Sequence, residues 1–420
     1  MQQLIRGKQM KEVLVIGAGP AGMMAACRAA ETGAKVTLFE RNQFCGIKLN
    51  ITGKGRCNVT NCCDEQALMQ NMTCNAKFLY SAFYAFPPKD VMAFFENLGV
   101  PLKVERGNRV FPVSDRAKDI SGALLRHLQQ IGVPIVQGRC KEVLTENGVV
   151  SGLVLEDGRR FSADSVIIAT GGRSYPRTGS DGDGYRMAQA LGHTIRPQKP
   201  SLVPLVAEGD DCGNLEGLSL KNIRLTVIKD GKTIFTDFGE MVFTAKGISG
   251  PLVLSASAHL DRKNTFPYTV SLDLKPALDA ETLDKRLLRD FEGQMNRDFA
   301  NALSGLLPAK MIPVIVARSG IPAHEKVHNI TKAQREALGA LLKGFTLTVA
   351  GMGSWHEAVV TTGGVHVKEV NPKTMESKLV PGLFFAGEVL DVDAYTGGFN
   401  LQIAWSTGHC AGLYAGKETE

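Results

Sequence analysis

Six residues near the start of the chain, Gly17-Ala18-Gly19-Pro20-Ala21-Gly22, have the types and spacing to hold a pyrophosphate. They follow a continuous apolar run, Glu12 to Ile16, and lead into an Ala- and Met-rich stretch, Gly22 to Thr32, before a second apolar run at Val36 to Phe39. In such a strand–turn–helix, Gly17 permits the tight turn, Gly19 lets backbone N–H groups approach phosphate, and Gly22 lets the helix pack closely on the strand. The helix N-terminus adds partial positive charge. Glu40, eighteen residues after Gly22, is placed to accept hydrogen bonds from a ribose. The segment is expected to bind a dinucleotide.

Two later segments indicate which dinucleotide. Asp164 to Gly172 is an apolar strand ending in Ala169-Thr170-Gly171, and Pro381 to Glu388 is another, ending in Gly387-Glu388. Either alone reads equally well as a buried strand followed by turn glycines. All three in order point to FAD, with the later strands returning to its adenosine half and to its ribityl and pyrophosphate region. Beyond them, Asn400-Leu401-Gln402 precedes a stretch of helical spacing, Ile403 to Gly412. Asn400 is expected to cap that helix, so that its positive end faces the flavin pyrimidine. No second GxGxxG lies in strand–helix context, so NADH or NADPH would be a transient electron donor without a domain of its own.

Those segments have to be positioned by a fold. The first βαβ unit implies a parallel sheet with a right-handed crossover. Residues 88–98 and 117–131 have helical spacing, and Val133 to Gln137 reads as the next strand. Residues 143–161 alternate around Glu-Asn-Gly and Glu-Asp-Gly turns, as antiparallel strands do. From Ser201 the pattern turns β-rich, with Lys-Asp-Gly-Lys at a hairpin tip, and Ala277 to Leu342 is helical in spacing. The expected class is α/β: a discontinuous Rossmann-like FAD-binding domain with an inserted β-barrel-like domain and a small helical domain. The expected divisions are 11–200 and 371–420 for the FAD domain, 201–265 and 343–370 for the β-rich domain, and 266–342 for the helical one.

Composition narrows the class. The 420 residues are 44% hydrophobic and 21% charged, ordinary for a globular protein, and the length exceeds what a single core holds. Lys and Arg exceed Asp and Glu by 48 to 42, spread along the chain, which reads as a mildly basic surface and no nucleic-acid partner. Met1 to Lys11 is polar, and the most apolar stretch, Val13 to Ala26, is interrupted by Gly17, Gly19, Pro20 and Gly22, so a cytoplasmic protein with no membrane partner is expected. None of the nine cysteines forms Cys-x-x-Cys, so reduced thiols and no metal site are expected. The oligomeric state is not legible.

The fuller motif set is distinctive: Gly46-Ile-Lys48-Leu-Asn-Ile-Thr52-Gly-Lys54-Gly-Arg56-Cys57-Asn58-Val-Thr60-Asn61, Arg109 to Pro112, Ser249-Gly250-Pro251, Thr374 to Lys378, and Gly382 to Gln402. Over essentially the whole chain it resembles the bacterial flavoprotein family that includes 3-dehydro-bile-acid Δ4,6-reductase and aminoacetone oxidase. The resemblance implies three domains and FAD contacts from Ala18 to Ala21, Glu40, Arg41, Lys48, Gly387, Glu388 and Asn400 to Gln402. It also implies that the Thr52 to Asn58 loop, with Cys57 and Asn58, lies near the flavin. Cys140 is counted with these contacts.

Two departures stand out: Phe243-Thr244-Ala245-Lys246 lacks a His that family members often carry, and Lys54 occupies a loop position that is often glycine. The implied activity is FAD-dependent oxidoreduction of a small organic substrate, an enone or steroid-like compound reduced at the expense of NAD(P)H. Amine oxidation, RNA modification and non-catalytic redox sensing are the rival readings. Arg56, Tyr175, Asp391 and Tyr395 are the candidate catalytic residues, each equally readable as a surface or core-edge polar group. His193, His356 and His366 read as structural.

Overall fold

The computed structural model describes residues 10–261 and 265–417. The polar opening, residues 1–9, lies outside the described residues, so the expectation resting on it has no structural counterpart. Two compact units emerge, one from residues 1–201 and 355–420 and the other from 202–354.

The first unit is built on five parallel strands, Glu12–Ile16, Lys35–Glu40, Ile135–Gln137, Ser165–Ile168 and Leu383–Phe385. Numbered in chain order they lie 3-2-1-4-5, so the order reverses between the first and fourth strands. Ligands bind at such switch points, outside the carboxyl ends of the strands. The central strands read as unbroken apolar runs because both faces of the sheet are buried, with the Phe161 ring of residues 140–162 packed on Phe39. Val13, Val15, Ile167 and Ile168 are wholly buried. Helix Pro20–Glu31 begins with proline at its first turn, and helix Phe399–Gly416 lies against it.

The helices expected near 88–98 and 117–131 are Pro88–Asn97 and Ala117–Gln130. Residues 140–162 form a three-stranded meander whose Asn147-Gly148 turn has both residues at positive φ, the type I′ geometry that matches strand twist.

The second unit contains a closed six-stranded antiparallel barrel. Its strands are Leu205–Ala207, Gly247–Ser249, Lys232–Thr244, Ser219–Lys229, Tyr268–Asp273 and Phe345–Met352, in that order around the barrel. Alternation sets which side chains enter: Phe345, Leu347 and Val349 are buried while Thr346, Thr348 and Ala350 are exposed. Helices Ala280–Glu292, Ile312–Ser319 and Lys332–Lys343 contribute Leu283, Leu287, Ile315, Leu338 and Leu342 to the same core as the barrel. The expected fold class, a Rossmann-like sheet with an inserted barrel and helices, is therefore present. No helix of the described residues is long and apolar enough to cross a membrane.

Candidate cofactor site

A crevice of about 1330 Å³, its open mouth included, runs along the carboxyl ends of the parallel strands. It is lined from Glu40 and Gly138, after the second and third strands, through Gly17 and Ala169, after the first and fourth, to Ala386, after the fifth. Five strands at about 4.8 Å spacing make it roughly 19 Å across, long enough for an extended dinucleotide. All its lining residues belong to the first unit.

The glycine turn has the geometry that its residue types predict. Gly17 sits at φ +102°, and a Cβ there would lie 2.7 Å from the Ala169 carbonyl oxygen. A Cβ on Gly22 would fall 1.8 Å from the Gly17 carbonyl oxygen, so the helix rests directly on the turn. At Gly19 nothing lies within 4 Å of the missing Cβ, and no side chain caps the helix. The space and the positive helix end that a phosphate needs are both present. Beside them, the buried Thr170 Oγ1 has no hydrogen-bond partner among the described residues, and Thr170 lines the crevice. These features fit a dinucleotide.

Glu40 does more than the sequence predicts. Its Oε2 accepts from the Ala18 N–H at 2.9 Å, and its Oε1 accepts from the Asn42 amide at 2.9 Å and side chain at 2.8 Å. A carboxylate has about four acceptor positions, so most of this one's capacity locks the turn and little remains for a ribose. Arg41 also lines the crevice but is held by Asp181 and Asp183. Arg139 grips the same two carboxylates. Burial pushes the Asp183 carboxyl up, yet the Arg139 and Arg186 guanidinium groups bring it to a net position below its ordinary range. Cys140 lines the crevice as a neutral thiol that burial pushes up to about 12.

Opposite lies a polar cluster that sequence reading caught only in part. Lys48 Nζ donates to Glu388 Oε2 at 2.7 Å and to Ser174 Oγ at 2.6 Å. Ser174 Oγ and the Thr361 N–H both donate to Glu388 Oε1, at 2.9 and 2.8 Å. Thr361 Oγ1 in turn accepts from the Arg173 and Ser174 amides. Lys48 and Glu388 line the crevice; Ser174 and Thr361, which no sequence motif marks, hold them. The fold alone brings these four segments together, and no local pattern announces it. Gly387, at φ +74°, donates its N–H to Thr407 Oγ1 and passes so close to Ala21 that a Cβ would lie 2.8 Å away.

The expectation that Asn400 caps the last helix is corrected. Gly398 holds the cap position at φ +99°, and Asn400 is the second helical residue. Its side chain instead clamps the preceding loop, accepting from the Ala394 N–H at 3.0 Å and donating to the Ala394 and Tyr395 carbonyls. The helix end remains free of a side-chain cap, so its positive pole persists. Asn400 and Leu401 line the crevice, whereas the Gln402 side chain is buried and occupied by Thr60, Phe86 and Ser406.

Several other named residues are not crevice-lining. Cys57 is buried, its thiol pushed up to about 12, and Asn58 lies next to it. Arg56 stacks over the Phe111 ring at 4.1 Å and pairs with Glu105 and Asp115. Tyr175 bonds through its backbone to Trp355 and Thr178, and Asp391 is buried against Asn75. The Tyr395 N–H donates to the Asn71 carbonyl. Of the histidines, His193 is buried against Ser377, in keeping with a structural role.

The family model described as HI0933-like protein Rossmann domain matches residues 11–414. The 3-dehydro-bile acid delta(4,6)-reductase of Clostridium scindens is 33% identical over 97% of this chain and 100% of its own length. A ribosomal RNA dihydrouridine synthase of Haemophilus influenzae is 30% identical over 98% of this chain and 100% of its own. Among solved structures, the 3-ketosteroid-delta4-(5alpha)-dehydrogenase of Rhodococcus jostii shares the fold at a TM-score of 0.50, with 16% identity and 99% of each chain covered. With its glycine turn, its five-strand crevice and a match that runs almost from end to end, the chain belongs to the HI0933-like Rossmann family and is an FAD-dependent oxidoreductase.

Proposed function

We propose that the chain saturates a carbon–carbon double bond conjugated to a carbonyl in a small organic substrate, drawing electrons from NADH or NADPH. The observation that carries this reading is the end-to-end similarity to relatives whose names describe one bond change. A delta(4,6)-reductase removes double bonds from a 3-dehydro bile acid, and a dihydrouridine synthase yields a saturated uracil ring. Each turnover takes one hydride equivalent from the nicotinamide and one proton from solvent, and places two hydrogens across the double bond.

FAD, when bound, supplies the two-electron exchange. The chain's own residues bind and polarise. The glycine turn and the uncapped helix at Gly19 take the pyrophosphate. The Lys48–Glu388–Ser174 cluster offers a fixed cation and a fixed carboxylate at the crevice wall, and the positive pole of helix Phe399–Gly416 favours negative charge built up beside it. A uracil ring in RNA is the second reading, favoured by the Haemophilus relative.

The test is anaerobic. The purified yellow protein receives NADPH or NADH, and the flavin band near ~450 nm is followed. Bleaching, then recovery on adding a 3-oxo-4-ene steroid, is the expected result. Recovery only with ribosomal RNA selects the second reading. A flavin that ignores nicotinamides but is reduced by amines overturns both.

A further inference from the structure

We propose that Lys54 recognises an oxyanion on the substrate, an assignment that rests on the reductase reading above. The helix Ile47–Ile51 carries Lys48 and Leu49 into the crevice wall, and Thr52 after it also lines the crevice. Lys54 follows two residues later, at most about 7 Å of chain away.

Its backbone is the unusual feature. Gly53, Lys54 and Gly55 adopt φ of +57°, +59° and +85° in succession. The two glycines tolerate this, but a side chain bearing a Cβ is sterically disfavoured in the left-handed region. Strain of this kind persists where the surrounding structure repays it or where function requires it. Backbone hydrogen bonds from Cys57 to Thr52 and from Arg56 to Gly53 close the turn, but the Lys54 side chain adds nothing to it: it is exposed, and among the described residues it makes no ion pair, side-chain hydrogen bond or ring contact. A third glycine would serve the turn better.

The neighbouring charges leave this ammonium unneutralised. Arg56 binds Glu105 and Asp115, and Lys103 binds Asp115 at 2.7 Å, so the nearby carboxylates already have cations. Beside the loop, the Ile51 side chain is 44% exposed, the last residue of the helix that feeds the crevice. An exposed cation three residues along the chain from an uncovered aliphatic group suits an apolar molecule with an anionic end. A carboxylate and a phosphodiester share that oxyanion chemistry.

The experiment uses oxidised holoprotein carrying Lys54→Gly, Lys54→Gln or Lys54→Arg. Each is titrated with 3-oxo-4-cholenoic acid, with its methyl ester, and with a uridine oligonucleotide, and binding is read from the perturbed flavin spectrum. The acid is expected to bind roughly fivefold more weakly to the Gly and Gln variants and about as well to Arg, a modest effect because the site is exposed. The ester should bind equally to all four proteins, and the gap for the acid should close in high salt. Lys54→Gly should also melt about 1–2 °C higher, as relief of backbone strain predicts.

The same pattern with the oligonucleotide supports oxyanion recognition with phosphate as the source. Equal weakening of acid and ester, or an acid that binds without regard to residue 54, overturns the proposal while the reductase reading stands. If neither steroid nor RNA binds the wild-type protein, that reading falls and the proposal falls with it.

Discussion

Lys48 and Glu388 stand 340 positions apart, yet their charged atoms meet at 2.7 Å on the crevice wall. At the scale of single residues, the positions legible in sequence are those whose task is local. Gly17, Gly19 and Gly22 answer to one turn, and each has the clearance or contact its role demands. Ser174, Thr361 and the true function of Asn400 answer to partners that only folding supplies.

His409 is another residue defined by its surroundings. It stacks on Phe86 with ring centroids 4.4 Å apart, and burial, helped by the Arg28 charge, lowers its pKa from 6.5 to about 4. The unfolded chain takes up a proton below about pH 6.5, whereas the native ring refuses it until about pH 4. The stability contribution is therefore complete above the unfolded value and declines as pH falls between the two, by up to about 1.4 kcal/mol per pH unit. In urea unfolding, wild type should lose about 2 kcal/mol more than His409→Phe between pH 7.5 and pH 5. Parallel losses in the two proteins would remove His409 as the cause.

Among the elements, the contact between helices Pro20–Glu31 and Phe399–Gly416 governs how the two crevice-facing helix ends are held. Gly408, Gly412 and Gly416 face Ala21, Ala25 and Ala29 so closely that a Cβ at Gly412 would lie 2.2 Å from the Ala25 carbonyl oxygen. Helical spacing in the sequence announces a helix here, but a stripe of small residues says nothing of its partner until the first helix is seen against it. Gly339, in helix Lys332–Lys343, provides the control, since its nearest neighbour to a new Cβ is 3.9 Å away. Both substitutions to alanine gain the same helix propensity, about 0.8–1 kcal/mol. Gly339→Ala should therefore raise stability by about that amount. Gly412→Ala should lower it by about 2 kcal/mol or more, because backbone must shift to admit the methyl group, and should reduce the flavin retained on purification. Equal effects would show that the helices separate freely.

For the whole molecule, the sheet was legible because a βαβ unit is written in one continuous stretch of about thirty residues. The barrel was legible as β-rich sequence, but its closure was not, because Leu205–Ala207 pairs with Phe345–Met352 across the intervening helical segment. The helices near 280–343 have the spacing of a separate helical domain, yet they share a hydrophobic core with the barrel, and spacing alone cannot reveal which core a helical stripe will join. This division has a consequence for the cofactor. Every crevice-lining residue lies in 1–201 or 355–420, and the two stretches are tied by pairing of Lys199–Ser201 with Val360–Thr362. Ser201 pairs with Val360, so the chain leaves and re-enters the first unit at neighbouring points. A flexible linker of about six Gly and Ser residues, spanning roughly 13 Å, should replace 202–354. The shortened chain is expected to purify yellow, with flavin content within twofold of the full protein, because no group that lines the crevice has been removed. Segment 202–354 expressed alone should be colourless. A shortened chain that is folded by circular dichroism but holds no FAD would show that the crevice needs the second unit to keep its cofactor.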